Sequence, residues 1–167
     1  MKVDLRIPGA LYTEALADLR RPHAFAAERV GFFTVAMGRL SASHLMLLAK
    51  RYSPVLDEHY IDDPYAGARI NADAIRASLQ RILDDGDGQL HVHIHEHRGM
   101  PMPSGMDARE MPPLLRSMAV TNAACAHGAL IFSQNGAWAE VLASGPDGQL
   151  IEVDTITVVG FPLLFLK

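Results

Sequence analysis

The chain has 167 residues, a formal net charge of −4 and an ordinary apolar content of 49%. That is long enough for one domain with a real hydrophobic core, and the acidic balance argues against a nucleic-acid partner, whose phosphates need a basic face. A single cysteine, Cys125, excludes an intrachain disulfide framework and agrees with a reducing compartment.

The first segment, Lys2–Ile7, reads as a strand. Its early charges, Met1-Lys-Val-Asp-Leu-Arg6, are unlike a signal peptide, so a cytoplasmic location is the expectation. Pro8-Gly9 leads into a helix over about 10–20, with Leu11, Ala15, Leu16 and Leu19 as its apolar stripe and Arg21-Pro22 as its end. Residues 30–40 and 45–52, rich in Val, Phe, Leu and Met, read as paired strands. The stretch from Ser53 to Ala68, with two prolines and four acidic residues, reads as an exposed excursion too polar for core.

Asn71 is placed to cap a helix running to Leu83, with Ile75, Leu79, Ile82 and Leu83 on its apolar side. Asp84–Gly88 is a turn, and a histidine-bearing strand follows. After a loop, a short helix begins near Gly105 and should be interrupted at Pro112-Pro113. Residues 129–133 and 137–143 form a hairpin across Gln134-Asn-Gly136, and Gly145-Pro-Asp-Gly148 turns into strands near 150–153 and 155–159. The C-terminal Phe161-Pro-Leu-Leu-Phe-Leu-Lys167 is too short to cross a bilayer and reads as a closing element or an interface. The fold class expected is α/β (α+β): one domain over 1–167 with a mixed, largely antiparallel sheet flanked by helices.

Chemistry concentrates in His91-Val-His-Ile-His-Glu-His97, which holds four of the eight histidines. On a strand, residues two apart share a face, so Leu90, Val92 and Ile94 face a core and His91, His93 and His95 face the other way. A His-x-His pair aims two imidazoles at one point, and Asp107 can add a carboxylate. Two nitrogens, one oxygen and a fourth position left to water make a catalytic Zn²⁺ site. Such a site needs a general base beside the water, and Glu28, just before an apolar strand containing Gly31, is the candidate. Blander readings exist for each part. A histidine run can be a solvated strand face, Glu28 a surface carboxylate, and Ser104-Gly-Met-Asp107 a capping box. Cys125 near His127 could suggest a thiol nucleophile, but Ala123-Ala-Cys-Ala126 reads as a buried small-residue stretch.

Taken together, Glu28-x-x-Gly31, then His-x-His, then Ser104-x-x-Asp107 resemble the signature of the JAB/JAMM (MPN+) zinc metalloproteases. The resemblance runs from about Glu28 to Asp107 in motif and over nearly the whole chain in element order. It implies a cytidine-deaminase-like MPN domain and an isopeptidase that cleaves after the C-terminal glycine of a ubiquitin-like protein. It also implies Glu28 as general base, His93, His95 and Asp107 as zinc ligands, and Ser104 as a donor to the oxyanion. Compact bacterial members accompany the activating and conjugating enzymes of ubiquitin-like systems, some in antiviral defence, which makes these enzymes expected partners. The chain departs from the pattern in two places. Glu96 stands where the family has proline, and eight residues, not seven, separate His95 from Ser104. Shifting the pair to His95 and His97 leaves six, so both registers stay open, with His93 and His95 preferred because Ile94 ends the apolar alternation. Other expectations are a non-catalytic scaffold of the same fold, or a zinc hydrolase of small amides or sulfur-carrier adducts.

Overall fold

A computed structural model describes residues 1–24 and 26–167. Among the described residues nine strands form one sheet: β1 (Lys2–Pro8), β2 (Val30–Ser41), β3 (His44–Pro54), β4 (Gly88–Ile94), β5 (His127–Phe132), β6 (Ala137–Leu142), β7 (Leu150–Glu152), β8 (Thr155–Val159) and β9 (Leu164–Phe165). Their order across the sheet is β7-β6-β5-β4-β2-β3-β1-β8-β9. The β1–β3, β1–β8 and β4–β5 pairs are parallel and the other five antiparallel, so the sheet is mixed and largely antiparallel. It curls. The Ala137 amide at the start of β6 donates to the Leu166 carbonyl just beyond β9, although the two strands are far apart in the order.

Three α-helices are present among the described residues: α1 (Gly9–Leu19), α2 (Ala72–Asp85) and α3 (Gly105–Thr121). None is long and apolar enough to cross a membrane. Helix α1 lies on one side of the sheet, where Ala15 and Leu19 meet Val3, Leu5, Leu47, Val92 and Phe132. On the other side Ile82 of α2 and Met111, Leu115 and Met118 of α3 pack against Phe32, Ala129, Ile131 and Trp138. The strands between these layers are buried on both faces, and this gives β4 its character. All seven of its residues are buried.

Local chemistry accounts for the element ends. The Asn71 side chain accepts from the amides of Asp73 and Ala74, and α2 stops at Gly86, whose φ of 68° suits a residue without a side chain. In the β5–β6 turn Ser133 Oγ accepts from the Gly136 amide at 2.9 Å. Gly145, at φ 78°, opens the turn that Gly148 closes with an amide hydrogen bond to its carbonyl.

Several expectations need correction. Pro112 and Pro113 do not interrupt α3, which runs through both to Thr121. The carbonyls their rings leave without amide partners, Ala108 and Arg109, lie on an exposed stretch where water can serve them. Burial of Met111, Leu115, Met118 and Ala119 holds the helix in place. The Ser53–Ala68 excursion is not wholly outside the core. Val55 and Tyr60 are buried, and the Tyr60 hydroxyl accepts from the Val30 amide at 2.9 Å. Leu83 is exposed instead of sharing the stripe of Ile82, and Ala123 and Ala124 are exposed instead of buried. At the C-terminus Leu164–Phe165 pairs with β8 as a closing strand, with Phe161 and Phe165 in solvent.

Candidate metal centre

Register brings the site together. In the antiparallel β2–β4 pair, Val30 lies opposite His93. Two residues back along the first chain and two forward along the second sets Glu28 against His95, and cross-strand partners share a face. On the other edge of β4 the pairing with β5 runs past Ile94, since the His95 amide donates to the Phe132 carbonyl at 2.9 Å. The face that carries Glu28, His93 and His95 looks toward α3.

The N-terminus of α3 supplies the third group. Ser104 and Asp107 make a complete capping box. Ser104 Oγ accepts from the Asp107 amide at 3.1 Å, and the Ser104 amide donates to Asp107 Oδ2 at 2.7 Å. Fixed in this way, the carboxylate turns toward the strand. His93 Nε2 lies 3.4 Å from Asp107 Oδ1, His95 Nε2 lies 3.5 Å from Asp107 Oδ2, and the two imidazole nitrogens are 3.1 Å apart. Four ligands at about 2.0–2.1 Å from a tetrahedral zinc stand roughly 3.3–3.4 Å from one another. The three separations, the two to Asp107 running to different oxygens of its carboxylate, are of this size, and the donor set of two imidazoles and a carboxylate suits the metal. The Glu28 carboxylate is also in reach. One of its oxygens and one nitrogen from each of the two imidazoles lie within 4.8 Å of one another. These residues therefore offer a metal three close donors and one carboxylate beside them.

His97 stands apart. It is exposed, its ring centroid is 6.0 Å from that of His95, and its Nδ1 lies 2.9 Å from the Arg98 carbonyl. Of the two registers left open by the sequence, the geometry gathers His93 and His95.

Electrostatics follow from burial. His91, beneath His93 on the same face, is enclosed so fully that its pKa falls to about 3, with the neighbouring His93 adding to the effect. Burial, then His93, also lowers that of His95. Burial alone would raise Asp107, but its bonding to His93 and to Ser104 outweighs this and holds the carboxyl well below the usual range. Near neutral pH the cluster thus pairs a neutral His95 with an ionised Asp107, the forms a metal requires.

Two features had no signal in the sequence. The Glu28 amide donates to the Gly67 carbonyl at 2.9 Å, and a Cβ added at Gly67 would stand 2.8 Å from the Glu28 carboxyl carbon. Only a glycine leaves the carboxylate where it is. Next to Glu28, the Arg29 side chain is buried and gives its protons to the carbonyls of Arg21 and Pro22 and to Asp57 Oδ1, at 2.8, 3.0 and 2.8 Å. This ties the segment before β2 to the excursion after β3. Gly31 has its own reason. A side chain there would run into the Tyr52 ring, whose hydroxyl donates to Asp18 of α1 at 2.6 Å.

The thiol alternative finds no geometry. Cys125 Sγ donates to the Gly86 carbonyl at 3.2 Å, and burial raises its pKa. Both ring nitrogens of His127 are occupied elsewhere, by the Gln89 amide and the Asn122 carbonyl. Arg109 pairs with Glu110 at 2.7 Å, and Arg98 is exposed in the loop before α3. Compared with known proteins by sequence, the chain matches no family model and no curated relative.

Proposed function

We propose that this protein is a zinc-dependent peptidase of the JAB/JAMM type, an isopeptidase cutting after the C-terminal glycine of a ubiquitin-like protein. The observation that carries the reading is the convergence of His93, His95 and Asp107 at 3.1–3.5 Å with the Glu28 carboxylate beside them. His93, His95 and Asp107 would hold the metal. Zinc in that position supplies Lewis acidity, polarising a carbonyl and lowering the pKa of water from 15.7 toward about 7.

The chain's own residues do the rest. Glu28, its amide held by the Gly67 carbonyl and its carboxylate given room by the missing side chain there, is placed to take a proton from water and pass it to the leaving amine. Asp107 anchors the α3 N-terminus and the two imidazoles at once, so the helix keeps the ligands from drifting. Ser104 lines the same cavity and is exposed. Its hydroxyl hydrogen is not consumed by the capping bond, in which Oγ is the acceptor, and remains for the oxyanion. The segment from Asp63 to Ile70 walls the cavity opposite α3 and offers a folded partner contact area remote from the bond. A cytoplasmic protein working beside activating and conjugating enzymes fits this reading.

The test compares substrates. A fusion ending in the native tail of a ubiquitin-like protein should be cut far faster than a short peptide copying that tail. Chelation should stop the reaction, and alkylation of Cys125 should not. Equal rates on both substrates would move the reading to a hydrolase of small amides, and cleavage that survives chelation would remove the metal from it.

A further inference from the structure

The cavity in front of the cluster is larger than a glycine needs. It measures about 600 Å³, within the range of small-molecule sites. It extends past the metal cluster between α2 and α3, where Ile75, Met106, Met111 and Leu114 make apolar walls. A bare glycine tail would leave water against those walls. Charge is balanced around it. Arg69 pairs with Asp63 at 2.9 Å and Arg109 with Glu110 at 2.7 Å, and all four line the cavity, so none of them is an open counter-charge for an ionic ligand.

Two ring nitrogens of the wall have no hydrogen-bond partner among the described residues, Nδ1 of His93 in the metal cluster and Nδ1 of His91 outside it. His91 is 9% exposed and lines the cavity, and its Nδ1 is sealed from solvent without a hydrogen bond among the described residues. An N–H stranded there would cost about 1–3 kcal/mol, and a bare lone pair is the smaller loss. The proton then belongs on Nε2, which makes the ring a donor in search of an acceptor.

We propose that this cavity is a side-chain pocket for an uncharged, aliphatic-stemmed group bearing a carbonyl oxygen, with the stem against Ile75, Met111 and Leu114 and the oxygen accepting from His91. A glutamine-like side chain close to the scissile bond, on the residue that precedes the terminal glycine, has this chemistry. The proposal rests on the hydrolase reading for its place beside the bond, but the pocket itself can be tested without catalysis.

The protein carries its own probes, because two of its eight methionines, Met106 and Met111, line the cavity. With methionine methyl groups labelled with carbon-13 and the protein as purified, butyramide should shift the Met106 and Met111 resonances selectively. Butylammonium at the same concentration should not. Ile75→Trp, which fills the pocket, should abolish the shift, and His91→Leu should weaken butyramide binding at least about fivefold, the loss expected of one hydrogen bond. Shifts absent, spread over all eight methionines, or unchanged in Ile75→Trp would overturn the pocket. So would equal binding of the two probes. A peptide series with Gln or Ala in the residue that precedes the terminal glycine separates the two readings. Selective shifts with no cleavage of any peptide keep the pocket and sink the hydrolase, while chelator-sensitive cleavage with no shifts does the reverse.

Discussion

His127 and the His91–His95 row are strand histidines in neighbouring positions of one sheet, and the structure treats them differently. His127, on β5, is fully buried with both nitrogens used. Nδ1 accepts from the Gln89 amide at 3.3 Å, and Nε2 donates to the Asn122 carbonyl at 2.8 Å. On β4 the ring nitrogens turn toward one another and toward Asp107, while Nδ1 of both His91 and His93 is buried with no partner among the described residues. Buried polar groups are nearly always satisfied, and the exceptions ask for a reason. His127 is explained by the fold it stitches together. The β4 row is not stitched into the fold in that way, and the Nε2 atoms of His93 and His95 gather with Asp107 where a metal would sit.

The contrast can be broken at the metal. His93→Ala or His95→Ala should abolish zinc binding and activity while changing the stability of the metal-free protein less than His127→Ala does. The His127 substitution strands a donor and an acceptor at about 1–3 kcal/mol each. Elemental analysis and urea unfolding in the presence of chelator read the two quantities separately. Zinc retained by both the His93 and the His95 variant would show that the row is merely packed.

Glu28→Gln is the next test, because it keeps shape and removes only the base. Activity should fall on the order of 10²–10⁴-fold with zinc content and unfolding midpoint unchanged. Near-normal turnover would make Glu28 an ordinary carboxylate. Gly67→Ala should act on the same group indirectly. The added methyl displaces the Glu28 carboxylate, since 2.8 Å is closer than real Cβ contacts come. A misplaced base should lower kcat on the order of 10- to 100-fold, with KM and zinc affinity held. A rise in KM alone would place Gly67 in substrate binding.

Much of this site was legible because it rests on local periodicity. Alternation along 91–95 fixed which histidines share a face, and Ser104-x-x-Asp107 marked a helix start that the structure uses as a full capping box. Pairing with a second strand was not legible. The β2–β4 register that sets Glu28 against His95 and the packing of Gly67 on its carboxylate depend on contacts between distant segments. The fold shows the same division. The hairpin turn at Ser133–Gly136 and the Asn71 cap follow from local chemistry. The persistence of α3 through Pro112-Pro113 and the burial of Tyr60 are decided by tertiary packing. Propensity argued against both.

The last effect expected is a pH dependence of stability, and its sign is fixed by burial. The unfolded chain binds a proton on each histidine near pH 6.5, whereas His91 in the folded protein stays neutral down to about 3. Burial lowers His127 as well. A folded-state pKa below the unfolded one means that acid favours the unfolded chain, so each group's contribution is complete above 6.5 and is lost as pH falls toward its folded value. Metal-free protein should therefore lose stability between pH 6.5 and about 3, with a slope of up to about 1.4 kcal/mol per pH unit from His91. His91→Leu should flatten that slope without removing the part that belongs to His127. Urea unfolding at pH 6.5, 5.5 and 4.5 reads it directly. An unchanged slope in His91→Leu would mean that the ring takes up its proton as readily in the folded protein as in the unfolded chain. The enclosure that leaves its Nδ1 without a partner would then be wrong.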